Sequence, residues 1–500
     1  MSYAAAVDNL YALGHELAPS APDAPRRKFD LAHMRVLASA LGNPQSTFPS
    51  VLIAGTNGKG STAATLASIL TAAGYRTGLY TSPHLFRVNE RIQIDGVQIP
   101  DEDFARLYFQ VDETARRLVE SADLPHPPSF FEVLTAVAFL HFAGKDAPKV
   151  AASDATDRPV DIAILEVGLG GRLDATNIVD PLLSILTDIA LDHQDYLGNT
   201  IAEITREKAG ILRQNGTLIT LPQHPEANQA IGEAAATLNL RAINAANYIP
   251  HTPARTQHED RHLDPIPSPQ PLPPNHYSVT VEGESLEVDS PLSGHHQRRN
   301  IALAIAAAVN LRNQTSYKSD QNLPKSNLKG YKIPNTAIEA GIRNTRWPGR
   351  LELFTFPEGP QLLVDVAHNP AGAWTLRAAI AQLPESRPRT LLFSCLRDKD
   401  LQEMAQILFP LFDSSSGDPE RSKDHILFAP INNPRAAGIE DLLAAAHTLD
   451  IPAHAAPHLA AALAQARAIT PPDGLVIATG SVYLVGEIRH LAGELESTLP

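Results

Sequence analysis

Nine residues, AGTNGKGST at 54–62, set one lysine and several hydroxyl groups among three glycines. They follow the apolar run Val51–Ile53 and lead into AATLASILTAAG, so a strand is expected to pass through glycines into a helix. That order aims backbone N–H groups and the positive end of a helix at one point, where a phosphate can sit. Gly55, Gly58 and Gly60 permit close approach, Lys59 can reach the outer oxygens, and Ser61 can hold a hydroxyl toward Mg2+. The spelling departs twice from G-x-x-x-x-G-K-[ST]: Ile53 stands at the first glycine, and Gly60 separates Lys59 from Ser61. A glycine-rich turn without a ligand is the alternative.

Two further clusters carry chemistry. In LEVGLGGRLDATN (165–177), Glu166 ends an apolar run, where an acid is expensive unless paired or bound to metal. In a parallel α/β sheet the C-terminal strand ends form the ligand crevice, and Glu166 falls there. In TDIALDHQDYLG (187–198), His193 comes just after another apolar run and can reach the same crevice. TREKAGI (205–211) adds Lys208 beside Glu207 on an expected helix. Taken singly, such a histidine is ordinarily structural and such a lysine solvated or paired with Glu207.

The elements that would position these groups alternate. Strands are expected at 51–55, 76–80, 161–167, 182–187 and 217–220, with helices at 61–74, 102–119, 131–144, 200–210 and 225–238. Continuous apolar strands separated by helices imply a parallel sheet covered on both faces. Three polar segments, 151–159, 250–276 and 312–335, read as surface loops or insertions, the second rich in Pro and His. A second α/β unit follows, with strands at 361–367, 390–395, 425–430 and 475–480. RWPGR (346–350) reads as a hinge, because Pro-Gly disfavours regular structure. The expected organisation is an α/β domain at 1–345 with a phosphate loop and a mostly parallel sheet. A smaller Rossmann-like α/β domain at 351–500 completes it.

Bulk properties narrow the class. A chain of 500 residues exceeds one ordinary core, and 43% hydrophobic with 19% charged residues excludes a disordered protein. The net charge of -14 argues against a nucleic-acid surface while leaving room for a small anionic substrate. The single cysteine, Cys395, excludes an internal disulfide and a cysteine-based zinc cage. No apolar run approaches the ~18 residues of a membrane span. The N-terminus lacks a basic segment typical of a signal peptide, so a cytoplasmic protein is expected.

Together these stretches resemble the folylpolyglutamate synthase and dihydrofolate synthase family of the Mur ligase superfamily, whose loop carries the GTNGKGS spelling. TSPHL (81–85), NERI (89–92), SFFE (129–132), LDH (191–193), REKAGI, PGR (348–350), DVAHNP (365–370), RDKD (397–400) and GSVYLVGE (480–487) match in family order. The resemblance runs from about residue 28 to 490. It implies an ATP-dependent ligase that activates a pteroate or folate carboxylate as an acyl phosphate and joins it to L-glutamate. It further implies ATP contacts from Thr56, Asn57, Gly58, Lys59, Gly60, Ser61, Asn300, Arg350 and Asp365, with His368 near the nucleotide. Ser82, Glu166 and His193 would hold magnesium. Lys208 matches the lysine that the family carbamylates with CO2, giving an anion for a second Mg2+. The pterin-side substrate would meet Phe130, Phe131, Glu132, Leu173, Asp174 and Ala175, and, through a looser match, Asp30. One of the two phenylalanines is equally readable as core.

Three rivals stand beside that reading. Another Mur-type amide ligase would carry a nucleotide-sugar domain, for which the 54 residues ahead of Gly55 are too few. A small-molecule kinase leaves the second α/β unit unexplained, and a non-catalytic regulator would not need Lys59, Glu166, His193 and Lys208 together. A monomer without nucleic-acid or membrane partners is expected.

Overall fold

The computed structural model describes residues 2–14, 31–144, 158–250, 272–314, 330–384 and 386–497. A first sheet of eight strands has the order β4-β3-β2-β5-β1-β6-β7-β8. Its strands are β1 (Ser50–Ala54), β2 (Thr77–Tyr80), β3 (Ile92–Ile94), β4 (Val97–Gln98), β5 (Ile162–Glu166), β6 (Leu183–Leu186), β7 (Thr217–Thr220) and β8 (Arg241–Asn244). From β2 to β8 the pairings are parallel, and β3 and β4 add an antiparallel edge.

Both faces of this sheet are buried, as the unbroken apolar strands require. Leu52 and Ala54 of β1 enter one core with the Asp101–Glu120 and Phe130–Ala143 helices, including Phe104, Tyr108 and Phe139. Val51 and Ile53 enter the other core, shared with the Lys59–Ala72, His295–Asn313 and Asn335–Arg343 helices. β1 therefore lies at the centre of the sheet, and the glycine loop that follows it opens where β5 and β6 flank it. That is the switch point at which an open α/β sheet receives its ligand.

A second sheet has the order β11-β12-β16-β13-β14-β15, with β11 (Glu352–Phe354) antiparallel to β12 (Gln361–Val364) and the rest parallel. The remaining strands are β13 (Arg389–Phe393), β14 (His425–Phe428), β15 (His454–Ala455) and β16 (Leu475–Thr479). Leu363 and Leu391 face one core, and Leu362, Val364 and Leu392 the other.

One expected loop is partly strand. Residues 274–276 begin β9 (Pro274–Val281), which pairs antiparallel with β10 (Glu284–Ser293). Glu282 and Gly283 take positive φ values of 52° and 88°, the turn that suits the strand twist. Residues 251–271 of that segment, 151–157 of the first and 315–329 of the third lie outside the described residues. At the edges of the third, the His295–Asn313 helix extends past 312 and another helix starts at Asn335.

Candidate active site at the tips of the central strands

The loop after β1 is built for close approach. Gly58 has φ of 85°, and a Cβ there would meet Asn300 Oδ1 at 2.2 Å. Asn300, brought from the His295–Asn313 helix, thus lies directly against the loop. The Thr56 and Asn57 N–H groups donate to the Asp188 carbonyl at 2.8 and 3.1 Å, which anchors the loop to the segment after β6. Lys59 curls back so that Nζ donates to the carbonyls of Gly55 (3.2 Å) and Thr56 (3.1 Å). Ser61 is buried in the first turn of the helix. A Cβ on Gly60 would lie 2.4 Å from the Trp347 ring, so the linker residue Trp347 is packed onto this glycine.

Lys208 converges on the same place. It is buried, and its Nζ donates to the Gly55 carbonyl at 2.8 Å. Glu207, its chain neighbour, pairs instead with Arg172 at 2.9 Å, so the Lys208–Glu207 alternative fails. Neighbours on a helix point about 100° apart, which sends Lys208 inward and leaves Glu207 half-buried beside Arg172. Burial and then Lys59 push the Lys208 amine down to about 7. Glu166, at the end of β5, accepts the Ser82 N–H at Oε2 (3.1 Å), and burial pushes its carboxyl up to about 7 against the pull of Lys59.

His193 follows β6 with φ of 52° and caps a short helical turn. Burial, then the Lys399 charge, lowers its imidazole to about 3. Its neighbour Asp192 receives Lys399 Nζ at 2.7 Å and Asn369 Nδ2 at 2.9 Å, both from the second sheet's side. Burial pushes Asp192 up, but Lys399 and the adjacent histidines outweigh it and hold the carboxyl below its usual range. Asn369 also exchanges side-chain hydrogen bonds with Asn57 of the loop at 3.2 and 3.4 Å. Sequence alone assigns no role to Asp192, Lys399 or Asn369, although each stands inside LDH, RDKD or DVAHNP. Their signal is a charged or amide residue within those stretches.

From the linker and second sheet come Arg350, half-buried, and Asp365, buried, each beside the other's charge. Asp365 accepts N–H groups of Leu351 and Ala367, each at 2.9 Å, and the Arg350 guanidinium lies 5.8 Å from the Trp347 ring centroid. His368 bonds the Val366 carbonyl through Nδ1 at 2.8 Å, which fixes a proton on that nitrogen.

The expected acceptor residues divide. Phe130 is core, packed at a tilt against Tyr11 and covered by Arg91. Phe131 is half-buried and lies against Gly168, where a Cβ would come 2.5 Å from its ring. Glu132 caps its own helix through Ser129 and bonds His33 Nδ1 at 2.9 Å. Asp174 accepts the N–H groups of Gly168, Leu169 and Thr176, each at 3.0 Å, and so holds the glycine-rich loop in shape. Leu173 and Ala175 flank it, Ala175 buried. Asp30 lies outside the described residues.

These groups fit a nucleotide and Mg2+. A side chain at Gly58 would fill the cradle, and two amines with an under-bonded buried carboxylate converge beside it. Among the described residues no three His, Cys, Asp or Glu side chains form a metal cage. Mg2+ keeps waters and binds through one or two carboxylates plus substrate phosphates, a part that the Glu166 carboxylate can serve.

Known proteins match this arrangement along its length. The Mur ligase middle domain matches residues 147–308, and the Mur ligase, glutamate ligase domain matches 349–482. The dihydrofolate synthase/folylpolyglutamate synthase of Bacillus subtilis is 34% identical over 472 residues, covering 92% of this chain and 94% of that protein. The chain belongs to the folylpolyglutamate synthase/dihydrofolate synthase family. With that membership it is an ATP-dependent ligase. Mycobacterium tuberculosis folylpolyglutamate synthase complexed with ADP and AMPPCP has a TM-score of 0.73 at 28% identity, over 98% of this chain and 99% of that one. Escherichia coli FolC in complex with DHPP and ADP gives 0.72 at 27%, over 99% of each chain. In this synthase family member no described helix is long and apolar enough to cross a membrane.

Proposed function

We propose that this ligase phosphorylates the carboxylate of a dihydropteroate or reduced folate and joins it to L-glutamate. The reading is carried by one observation: the Gly55–Ser61 loop, Glu166 and two lysine amines meet under groups from the second sheet. A carboxylate oxygen attacks the γ-phosphorus of ATP, its bond to the β–γ bridging oxygen breaks, and ADP leaves. The glutamate amine then attacks the acyl carbon, loses a proton and expels phosphate.

Each residue has a part in that sequence. Thr56–Ser61 and Asn300 cradle the triphosphate, Lys59 neutralises charge on the transferred group, and Arg350 with Asp365 closes the site from the linker. Ser82, Glu166, His193 and Lys208 are the Mg2+ positions; the metal supplies charge neutralisation at the phosphoryl oxygens. Lys208 is buried with its amine on a backbone carbonyl. Adding CO2 there forms an N–C bond, releases a proton and leaves an anion for a second ion. Phe131, with Leu173 and Ala175, offers apolar surface to the pterin or benzoyl ring, while Asp174, Glu132 and Phe130 shape that surface from behind. Residues 346–350 act as the hinge between 1–345 and 351–500, and the enzyme works as a cytoplasmic monomer.

The test supplies ATP, Mg2+ and glutamate with dihydropteroate or tetrahydrofolate and weighs the products. At least one acceptor should gain glutamate less water, with phosphate released only when both substrates are present. No gain on either acceptor overturns the reading, and a stable phosphorylated acceptor would favour a kinase.

A further inference from the structure

Ser82 and Phe86 are four positions apart and belong to different parts of the molecule. Ser82 N–H donates to Glu166 Oε2 at 3.1 Å, at the tip of β5. Phe86 stacks on His490 of the Val482–Ser497 helix, which covers the second sheet, with ring centroids 4.3 Å apart. Between them Leu85 packs into the core that this helix shares with β12 and β16. The path is stiffened from within. Glu90 accepts the N–H groups of Leu85 (2.8 Å), Phe86 (3.0 Å) and Arg87 (2.7 Å) on one carboxylate. Arg87 in turn pairs with Asp101 at 2.6 Å.

The seat for this segment is a glycine. A Cβ on Gly486 would lie 1.9 Å from the Leu85 carbonyl oxygen and 2.6 Å from its carbonyl carbon. Backbone against backbone cannot be relieved by a rotamer change, so any side chain at 486 lifts the segment. The linker contributes the opposite wall: a Cβ on Gly349 would approach Leu85 Cδ1 to 3.4 Å and Val485 to 3.1 Å. Leu85 is therefore held between the linker and the helix of the second sheet, while Ser82 remains tied to the first.

We propose that Leu85 and Gly486 are positioning residues, whose contact holds the Ser82–Glu166 corner in its working geometry only when the two sheets' lobes are docked. The proposal rests on the ligase reading, which places metal and phosphate at that corner. Neither residue touches a reacting group; both act through Ser82. Plain interlobe packing would predict a different pattern, in which substitution lowers thermal stability and leaves the Mg2+ requirement of the folded enzyme unchanged.

Four full-length proteins decide between these: wild type, Gly486→Ala, Leu85→Ala and Leu85→Met. Amide hydrogen exchange over residues 82–91 is followed without nucleotide or metal, and turnover is measured across a Mg2+ titration. Gly486→Ala and Leu85→Ala should exchange at Leu85, Phe86 and Arg87 at least about tenfold faster, because a local opening then needs less free energy. Their kcat should fall by about ten- to a hundredfold, the cost of a small misplacement at a distance from the chemistry. The Mg2+ concentration for half-maximal turnover should rise, AMPPCP affinity should hold within about twofold, and Leu85→Met should restore wild-type behaviour. Unchanged exchange and unchanged Mg2+ dependence in folded Leu85→Ala overturn the proposal, even if Gly486→Ala does not fold. Absence of ligation by the wild type would instead count against the ligase reading, and the exchange comparison would still judge the segment.

Discussion

At the tip of β5, Glu166 receives the Ser82 amide at 3.1 Å, and burial pushes its carboxyl up to about 7. At the tip of β12, Asp365 is also buried but accepts two backbone N–H groups at 2.9 Å and has the Arg350 charge beside it. The first carboxylate is left with capacity for a cation, whereas the second is tied to the linker. The same division runs through the cations. Lys59 and Lys208 rest on the carbonyl of Gly55, a weak neutral partner, while Lys399 is locked to Asp192 at 2.7 Å. Lys59, Lys208 and Glu166 thus have no charged side-chain partner among the described residues, whereas Asp365 and the Asp192–Lys399 pair have theirs within the protein. The lesson is that a strand tip alone does not mark chemistry; the degree of internal satisfaction does.

The sharpest way to break this contrast is Lys59→Ala. If Lys59 serves the transferred phosphoryl group, ATP turnover should fall by about 10²–10³-fold, as for removal of one preorganised electrostatic donor. A fall below tenfold would put it with the settled charges. Next, Lys399→Ala strips a buried carboxylate of its partner, which ordinarily costs about 3–5 kcal/mol. The melting temperature should drop clearly, and Lys399→Ala with Asp192→Asn should recover much of the loss. An unchanged melting temperature would show that the pair is not settled in solution.

The smallest effect concerns Asp424, at the start of β14 and away from the strand tips. It accepts the Arg389 N–H at 2.8 Å, and burial pushes its carboxyl up to about 6. Because the folded protein holds this proton more tightly than the unfolded chain, its contribution is full below the ordinary 3.8 and is lost as pH rises through about 6. Asp424→Asn, which keeps the acceptor oxygen, should therefore raise the melting temperature by about 2 °C at neutral pH. The gain should vanish in acid. Turnover should not change, which separates a raised carboxyl from a functional one.

Much of the frame was legible because buried parallel strands write themselves as unbroken apolar runs. β7 falls at its expected residues, β5, β6, β12 and β16 lie within theirs, trimmed at one or both ends, and β1 is shifted by one residue toward the N-terminus. The edges were not legible. β3, β4 and β8 are short and partly exposed, so neither length nor apolar continuity distinguishes them from loop. The β9–β10 hairpin begins inside a Pro-rich stretch that reads as coil. At the site, Lys59, Glu166 and His193 stand out by residue type at strand ends and a helix start, and Lys208 in the last turn of its helix; Lys59 and Lys208 share the Gly55 carbonyl. The settled pairs do not stand out, because Asp192–Lys399 and Asn57–Asn369 join positions 207 and 312 residues apart. No local pattern encodes such a pair. Asp174 and Glu132, expected as substrate contacts, also bond the glycine-rich loop and the helix start, so each is scaffold as well.

The tryptophan resting on Gly60 gives the unusual loop spelling a mechanical meaning. Any side chain there would push against the indole of a residue that belongs to the connection between the two halves. A loop with serine or threonine directly after the lysine could not simply be transplanted into this protein, since the joint would lose its footing. The extra glycine is the imprint that the second half leaves on the first, and it lets one part of the sequence testify to the presence of another nearly three hundred positions away.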